Sequence, residues 1–503
     1  MVHVYDMYCS PAVCCHSGFS SGASCEIPSV RAVVAARKAA TRSTLQVKGR
    51  HGASSPADAG DGQPSSYDLL IRDCRVDGRA HLVDIAIGGS WIRAVGPHLV
   101  AEAALELSAG GRLASPAFIQ PHLHLDKAGV RPLTDVNQSG TLAEAIRLLR
   151  GAKRAITADE VARRAGRIIE LAVIAGTAVI RSHVDVDTIG GLTPLNGVLQ
   201  AARDHADICE VQLVAFPQEG LLRDPGADVL MAAAMQAGAT VVGGMPHWER
   251  NPRDAAEHVR ICLDLAREHD ADVDMHIDET DDPRSRTLEM LLDATEKYGW
   301  QGRVAASHCC AMAAWEAEYT RSMIARAAAL DVSVITNPAT NLLLQGRGDG
   351  AAPRRGVPPV KDLLAAGVRV ACGQDCVHDA FYPFGTADPL QVALILCHAA
   401  QLSTPAEIAS GMTMIRSAAA AAIGCQGYGL APGCLADVVV LDAETAEEAL
   451  RTQAGRRFVI RHGRLVAETS SSRKLHRQEP AHSPSHLNGQ VTTMAETPGQ
   501  LKE

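Results

Sequence analysis

The sequence predicts an α/β fold centred on a (β/α)8 barrel of the TIM type. Three observations carry this. Between about residues 116 and 424, short strand-like runs alternate with helix-length, Ala/Leu-rich stretches, the pattern of a parallel sheet. Side chains that bind metals fall at the ends of several of those runs, and barrel strands converge their C-terminal ends on one face. A dinucleotide-binding sheet is the alternative for the same alternation, but no G-x-G-x-x-G follows a strand.

Residues 1–66 differ from the rest. They are rich in Ser, Ala and Gly, and six basic residues with no acidic one lie between Ile27 and Arg50. Such a composition belongs to organellar transit segments, and equally to disordered extensions or to translation from an upstream start. No clean apolar region follows the first residues, so a secretory signal is not expected. Residues 67–115 carry strand runs at 69–71, 83–87 and 91–95, and residues 425–470 carry others at 437–441, 458–460 and 464–466. These two β-rich pieces bracket the middle, residues 116–424. There the strand runs are 178–180, 210–216, 241–242, 273–277, 304–307, 333–335 and 368–371, with helices expected at 158–175 and 311–330. Residues 471–503 are polar, and disorder is expected there.

Composition excludes several functions. The 503 residues are 47% hydrophobic and 21% charged, enough for a large core. The net charge of -9 lacks the basic bias of a nucleic-acid surface, and 3% aromatics leave little for base stacking. No apolar run reaches the roughly 18 residues of a membrane span. The 14 cysteines are scattered without a C-x-x-C pair, as in a reduced cytoplasmic enzyme.

The sharpest signal is Gln120-Pro121-His122-Leu123-His124-Leu125-Asp126 after an apolar run. Residues two apart on a strand share a side, so His122 and His124 can offer two imidazoles to one ion. His276 stands near the end of the run 273–277, His308 follows 304–307, and Asp375 follows 368–373. Polar placements at the same edge of separate strands point to a shared metal site. Histidines with one aspartate suit one divalent ion, zinc or iron(II). Glu279, three residues beyond His276, is placed to shuttle a proton between an attacking water and a leaving nitrogen; the other reading is a surface acid beside Asp278, Asp281 and Asp282.

These residues resemble the metal-dependent amidohydrolase superfamily, and within it the bacterial cytosine deaminase branch. Over residues 67–468 the matching strings include Asn137-Gln138-Ser139-Gly140-Thr141-Leu142, His183-Val184-Asp185-Val186, Phe216-Pro217-Gln218-Glu219-Gly220, Ala306-Ser307-His308 and Tyr382-Pro383-x-Gly385-Thr386. The resemblance implies a small β-sandwich built from both chain ends beside the barrel. It implies one metal held by His122, His124, His276 and Asp375, and a hydroxide on it oriented by His308. It also implies that Gln218 hydrogen-bonds the ring amide edge of a small heterocyclic substrate and that Glu279 moves protons to the ring nitrogen. A homo-oligomer is expected, with no nucleic-acid or membrane partner. The branch has no lysine bridging two metals, so Lys127 is left as a substrate-loop or surface residue.

Two departures bear on the substrate. Where the branch has Gly-His-Asp-Asp, this chain has Gly373-Gln374-Asp375-Cys376, and Phe381 replaces a tryptophan. The ligand aspartate stays. Cys376 removes a charged acceptor from the ring pocket. The expected reaction is hydrolytic deamination of cytosine or a closely related aminated pyrimidine, with release of ammonia. The alternatives are a hydrolase of a substituted triazine such as N-isopropylammelide or of another cyclic amidine, and a homologue that binds without turnover. Two further patterns carry little. The G-x-S-x-G at 18–22 lacks the strand and helix that a nucleophile elbow needs, and Cys9, Cys14 and Cys15 with His3 and His16 lack zinc-finger spacing.

Overall fold

Five strands open the described chain: β1 (Ser65–Cys74), β2 (Val83–Gly88), β3 (Trp91–Gly96), β4 (Ala101–Ser108) and β5 (Leu113–Pro116). Eight follow: β6 (Phe118–Leu123), β7 (Thr177–Asp185), β8 (Glu210–Phe216), β9 (Val241–Gly244), β10 (Asp272–Ile277), β11 (Val304–His308), β12 (Ser333–Thr336) and β13 (Val370–Cys372). The last three are β14 (Val438–Leu441), β15 (Arg456–Arg461) and β16 (Arg464–Glu468). This computed structural model describes residues 65–472 and 474–476. The expectations placed on residues 1–64 and 477–503, including the serine pattern at 18–22 and Cys9, Cys14, Cys15 and Cys25, lie outside the described residues.

β6 to β13 form one eight-stranded sheet in sequence order, each strand parallel to the next. Its two edges meet in a parallel bridge between Leu123 and Asp375. There the Asp375 N–H donates to the His122 carbonyl at 2.9 Å, and the His124 N–H donates to the Asp375 carbonyl at 3.0 Å. The sheet is thus a (β/α)8 barrel, joined at the point where three of the predicted ligands stand. Helices cover its outer face, so the strands are buried on both sides and rich in Val, Ile and Ala. The helix Ala158–Ile174 shows how sequence starts such an element. Thr157 stays extended and accepts the Glu160 N–H, a cap worth about 1 kcal/mol, and Val161, Ala165, Ile168, Ile169 and Ala172 turn one stripe inward.

Two further four-stranded sheets, β3-β2-β1-β4 and β16-β15-β14-β5, flank the barrel. They share a core in which Leu69, Ile71, Ile85 and Ile87 meet Ala114, Val438, Val440, Phe458 and Ile460. This is a β-sandwich contributed by both ends of the described chain. The composition of β4, Ala-Glu-Ala-Ala-Leu-Glu-Leu-Ser, favours helix; parallel pairing with β1 from Ser65–Ala101 to Arg72–Ser108 overrides it.

Two expected elements need correction. The helix expected at 311–330 is a 3-10 turn over Cys310–Ala314 followed by a helix over Ala317–Ala329. Trp315 and Glu316 are extended between them, because the buried Trp315 side chain takes the chain out of the helical path. The strand expected at 368–371 runs instead over Val370–Cys372, as it pairs with Val334–Thr336 of β12.

Candidate active site

The barrel interior is polar along its axis. Arg181, His183 and Asp185 alternate along β7 and so share a face. Arg181 reaches Asp274 on β10, two strands beyond its neighbour β8, at 3.2 Å; this contact crosses the interior. His122 on β6 likewise reaches Ser307 on β11, with Nδ1 2.9 Å from Oγ. Ser307 Oγ donates to Asp274 Oδ1 at 2.8 Å. Since Oγ spends its proton on Asp274, it accepts from the imidazole, and His122 Nε2 is the free lone pair. His124 reaches the same state differently, with Nδ1 3.1 Å from the His183 carbonyl, which can only accept.

At the C-terminal mouth His122, His124, His276 and Asp375 bring one donor atom each within 4.8 Å of one another, all buried. His124 Nε2 lies 3.2 Å from His276 Nε2 and 3.2 Å from Asp375 Oδ1, and His122 Nε2 lies 3.5 Å from Asp375 Oδ1. Four ligands about 2.0–2.2 Å from a central ion stand about 3.3–3.6 Å apart at a tetrahedron's edges. His122 Nε2 is buried with no partner among the described residues. These residues therefore fit one divalent ion. Burial pushes the His124 imidazole down to about 4 and, with neighbouring imidazoles, holds His276 well below the usual histidine range, so both offer neutral nitrogens. Phe216 stacks on His276 with ring centres 4.1 Å apart, and His183 stacks on His122 at 3.9 Å.

Backbone strain marks the same edge. Asp278, His308 and Asp375 have positive φ of 48°, 73° and 67°, uncommon for side-chain-bearing residues and found where function constrains the chain. Gly373 lies at a close approach: a Cβ there would stand 2.5 Å from Asn337 Oδ1 and 2.8 Å from His122 Cβ.

Glu279 is no surface acid; it is 3% exposed. Its Oε1 accepts from Asn341 Nδ2 at 3.0 Å and stands 3.3 Å from His308 Nδ1. Burial, then the Asp375 charge, push this carboxyl well above its ordinary range. His308 Nδ1 lies 3.0 Å from Asn341 Oδ1, an acceptor, so Nδ1 carries the proton and Nε2 is the basic nitrogen. Its neighbour Asp278 serves structure: it accepts the N–H groups of Thr287 and Leu288 at 2.8 and 2.9 Å, anchoring the next helix.

Glu279, Asp375, Gln218, Cys376 and Phe381 line one cavity with His124, His276, Lys127, Leu142 and Thr340. The cavity is small and tightly lined. Larger surface grooves elsewhere gather no such set of groups.

Residues 106–467 match the amidohydrolase family. The chain belongs to this family. Among its relatives, N-isopropylammelide isopropyl amidohydrolase of Pseudomonas sp. (strain ADP) is 28% identical over 414 residues, 80% of this chain and 98% of that protein. The structure of 5-methylcytosine deaminase from Klebsiella pneumoniae with 5-fluorocytosine is 33% identical, with a TM-score of 0.78 over 81% of this chain and 99% of that one. N-isopropylammelide isopropylaminohydrolase from Burkholderia multivorans is 31% identical, with a TM-score of 0.71 over 80% and 98%. No helix among the described residues of this amidohydrolase is long and apolar enough to cross a membrane.

Sequence reasoning placed Lys127 least well. It is not a surface residue. Its Nζ, 3% exposed as a side chain, donates to Asp185 Oδ1 at 2.8 Å and to Gln218 Oε1 at 2.7 Å. Behind it Lys153 lies 2.6 Å from both Asp185 and Asp187. Asp185 stood in a matching string with no role assigned; its position at the end of β7, the same edge as the ligands, was the available signal. Asn341 and Asp274 carried no such signal, since each acts only through partners distant in sequence.

Proposed function

We propose that this amidohydrolase removes an exocyclic amine hydrolytically from a small nitrogen heterocycle, cytosine or a closely related aminated pyrimidine, releasing ammonia. The observation that carries the reading is Glu279: a buried carboxyl, raised well above its ordinary range, that lines one cavity with His124, His276 and Asp375, three of the four convergent metal donors. Names of the relatives agree in kind, since they describe a deaminase and amine-releasing hydrolases of nitrogen rings.

His122, His124, His276 and Asp375 would hold one divalent ion, iron(II) or zinc, which supplies Lewis acidity and eases loss of a proton from water at neutral pH. His308, its imidazole pushed down to about 3 by burial, stays neutral and orients the attacking water. Glu279 carries a proton between that water and the ring; burial and the Asp375 charge raise its carboxyl and so favour its holding that proton. Asn341 holds both groups by donating to Glu279 and accepting from His308. Phe381 and Leu142 line the ring space with apolar surface and exclude water.

A substituted triazine is the second reading, favoured by Cys376. The neutral thiol, pushed well above its ordinary range by burial, offers no charged acceptor to the ring. The test is Glu279→Gln. The variant should bind metal as the wild type does and lose at least about a thousandfold in turnover. Wild-type-like activity would remove Glu279 from the mechanism.

A further inference from the structure

The wall of the cavity formed by Lys127 and Gln218 differs from a simple amide contact. An ammonium can only donate, so the Gln218 oxygen must face Lys127 and the amide nitrogen is what remains. That nitrogen directs one N–H to Met245 Sδ at 3.2 Å and keeps the other. Lys127 spends two protons on Asp185 and Gln218 and keeps a third, and its Nζ stands 5.3 and 5.5 Å from the ring centres of Phe381 and Phe216. Lys127 and Gln218 both line the cavity. A ring N–H brought to Gln218 Oε1 would stand beside the ammonium that already occupies it. Cys376 supplies no compensating carboxylate. Asp185, paired in turn with Lys153, holds the Lys127 charge in place.

We infer that Lys127 is a specificity-determining residue: with Gln218 it makes a donor–donor clamp that takes a ring by an acceptor–acceptor edge. The preferred ligand is then an oxo-substituted azine with a carbonyl beside a ring nitrogen that carries no proton, as neutral cytosine has, and a ring that must lose an N–H proton to present that edge binds as its anion. This rests on the proposed deaminase reading and narrows it. A neutral ring with an N–H on that edge leaves one donor of the clamp facing another donor, whereas a ring anion meets two donors, one of them charged.

Binding of unreactive rings tests this without turnover. Uracil, 6-azauracil and cyanuric acid are close in size, and their ring N–H groups rise in acidity in that order. Each is titrated calorimetrically into metal-loaded protein at one mildly alkaline pH, where Asp379, Glu279 and the groups around Lys127 stay in one state through the series. Affinity should follow ring acidity, with cyanuric acid at least about tenfold tighter than uracil, as expected for a charge-assisted contact. Lys127→Met should remove most of that preference, and Lys127→Arg should restore part of it. If Lys127→Met does not fold, the wild-type series still decides. Uracil binding as tightly as cyanuric acid overturns the inference. So does a preference that Lys127→Met leaves intact. The deaminase reading fails separately, if no aminated ring yields ammonia while the anion preference holds.

Discussion

Ser307 Oγ stands 2.9 Å from Nδ1 of His122, across the barrel interior, and passes its own proton to Asp274. The contact fixes the tautomer and the angle of a proposed metal ligand from a strand five places further along the sheet. Arg181 holds Asp274 in turn. Partners of this kind typically change metal affinity by about 10–100-fold. Ser307→Ala should therefore bind zinc about 10–100-fold more weakly in a chelator competition, with the circular dichroism spectrum unchanged. Equal affinity would mean that packing alone sets the His122 ring.

Lys153 is enclosed by Asp185, Asp187 and Glu219 at 2.6, 2.6 and 3.6 Å. Its charge compensates carboxylates that water cannot reach. Removing one partner of a buried ion pair costs about 3–5 kcal/mol. Lys153→Met should lower the unfolding free energy by about that amount in urea. Arg147→Ala, which removes an exposed partner of Glu144, should cost under about 1 kcal/mol. Similar losses for both variants would contradict this account of the buried network.

Asp379 gives a pH-dependent stability. Burial pushes its carboxyl up to about 7, although the N–H groups of Tyr382 and Phe381 donate to Oδ1. An acid whose folded value lies above its unfolded one stabilises the fold while protonated. That contribution is lost as the pH rises through the folded value. Asp379→Asn keeps an oxygen for both N–H groups and cannot ionise. Its unfolding free energy should differ from the wild-type value by the same amount at all pH below about 3, and should gain on it by about 4 kcal/mol at most near about pH 8. A gap that does not change with pH would show that the Asp379 carboxyl titrates alike in the folded and unfolded chains.

Cys376→Asp returns a charged acceptor to the cavity. It should shift relative rates towards rings with a donor on the facing edge, cytosine over ammelide, by about tenfold or more. Unchanged relative rates across cytosine, isocytosine and ammelide would show that residue 376 does not read the ring.

The barrel was legible because its strands are short apolar runs ending in polar residues, a pattern local in sequence. His122, His124, His276 and Asp375 could be picked out for the same reason, each standing at the end of such a run. Lys127, Asn341 and Asp274 could not. Their roles lie in contacts with residues 58, 62 and 33 positions away, to Asp185, Glu279 and Ser307, and no local periodicity reports such contacts. The helix expected at 311–330 failed for a related reason: Ala-rich composition favours helix, but burial of Trp315 decides the path.

The central claim is metal-dependent release of an amine from a ring. Its most direct test is ammonia release by the metal-loaded protein, by the chelated protein and by the protein reloaded with zinc or iron(II), each offered cytosine, isocytosine, 5-methylcytosine and ammelide. The account predicts turnover of at least one ring, lost on chelation and regained on reloading. A fully loaded protein that leaves every ring intact would contradict it.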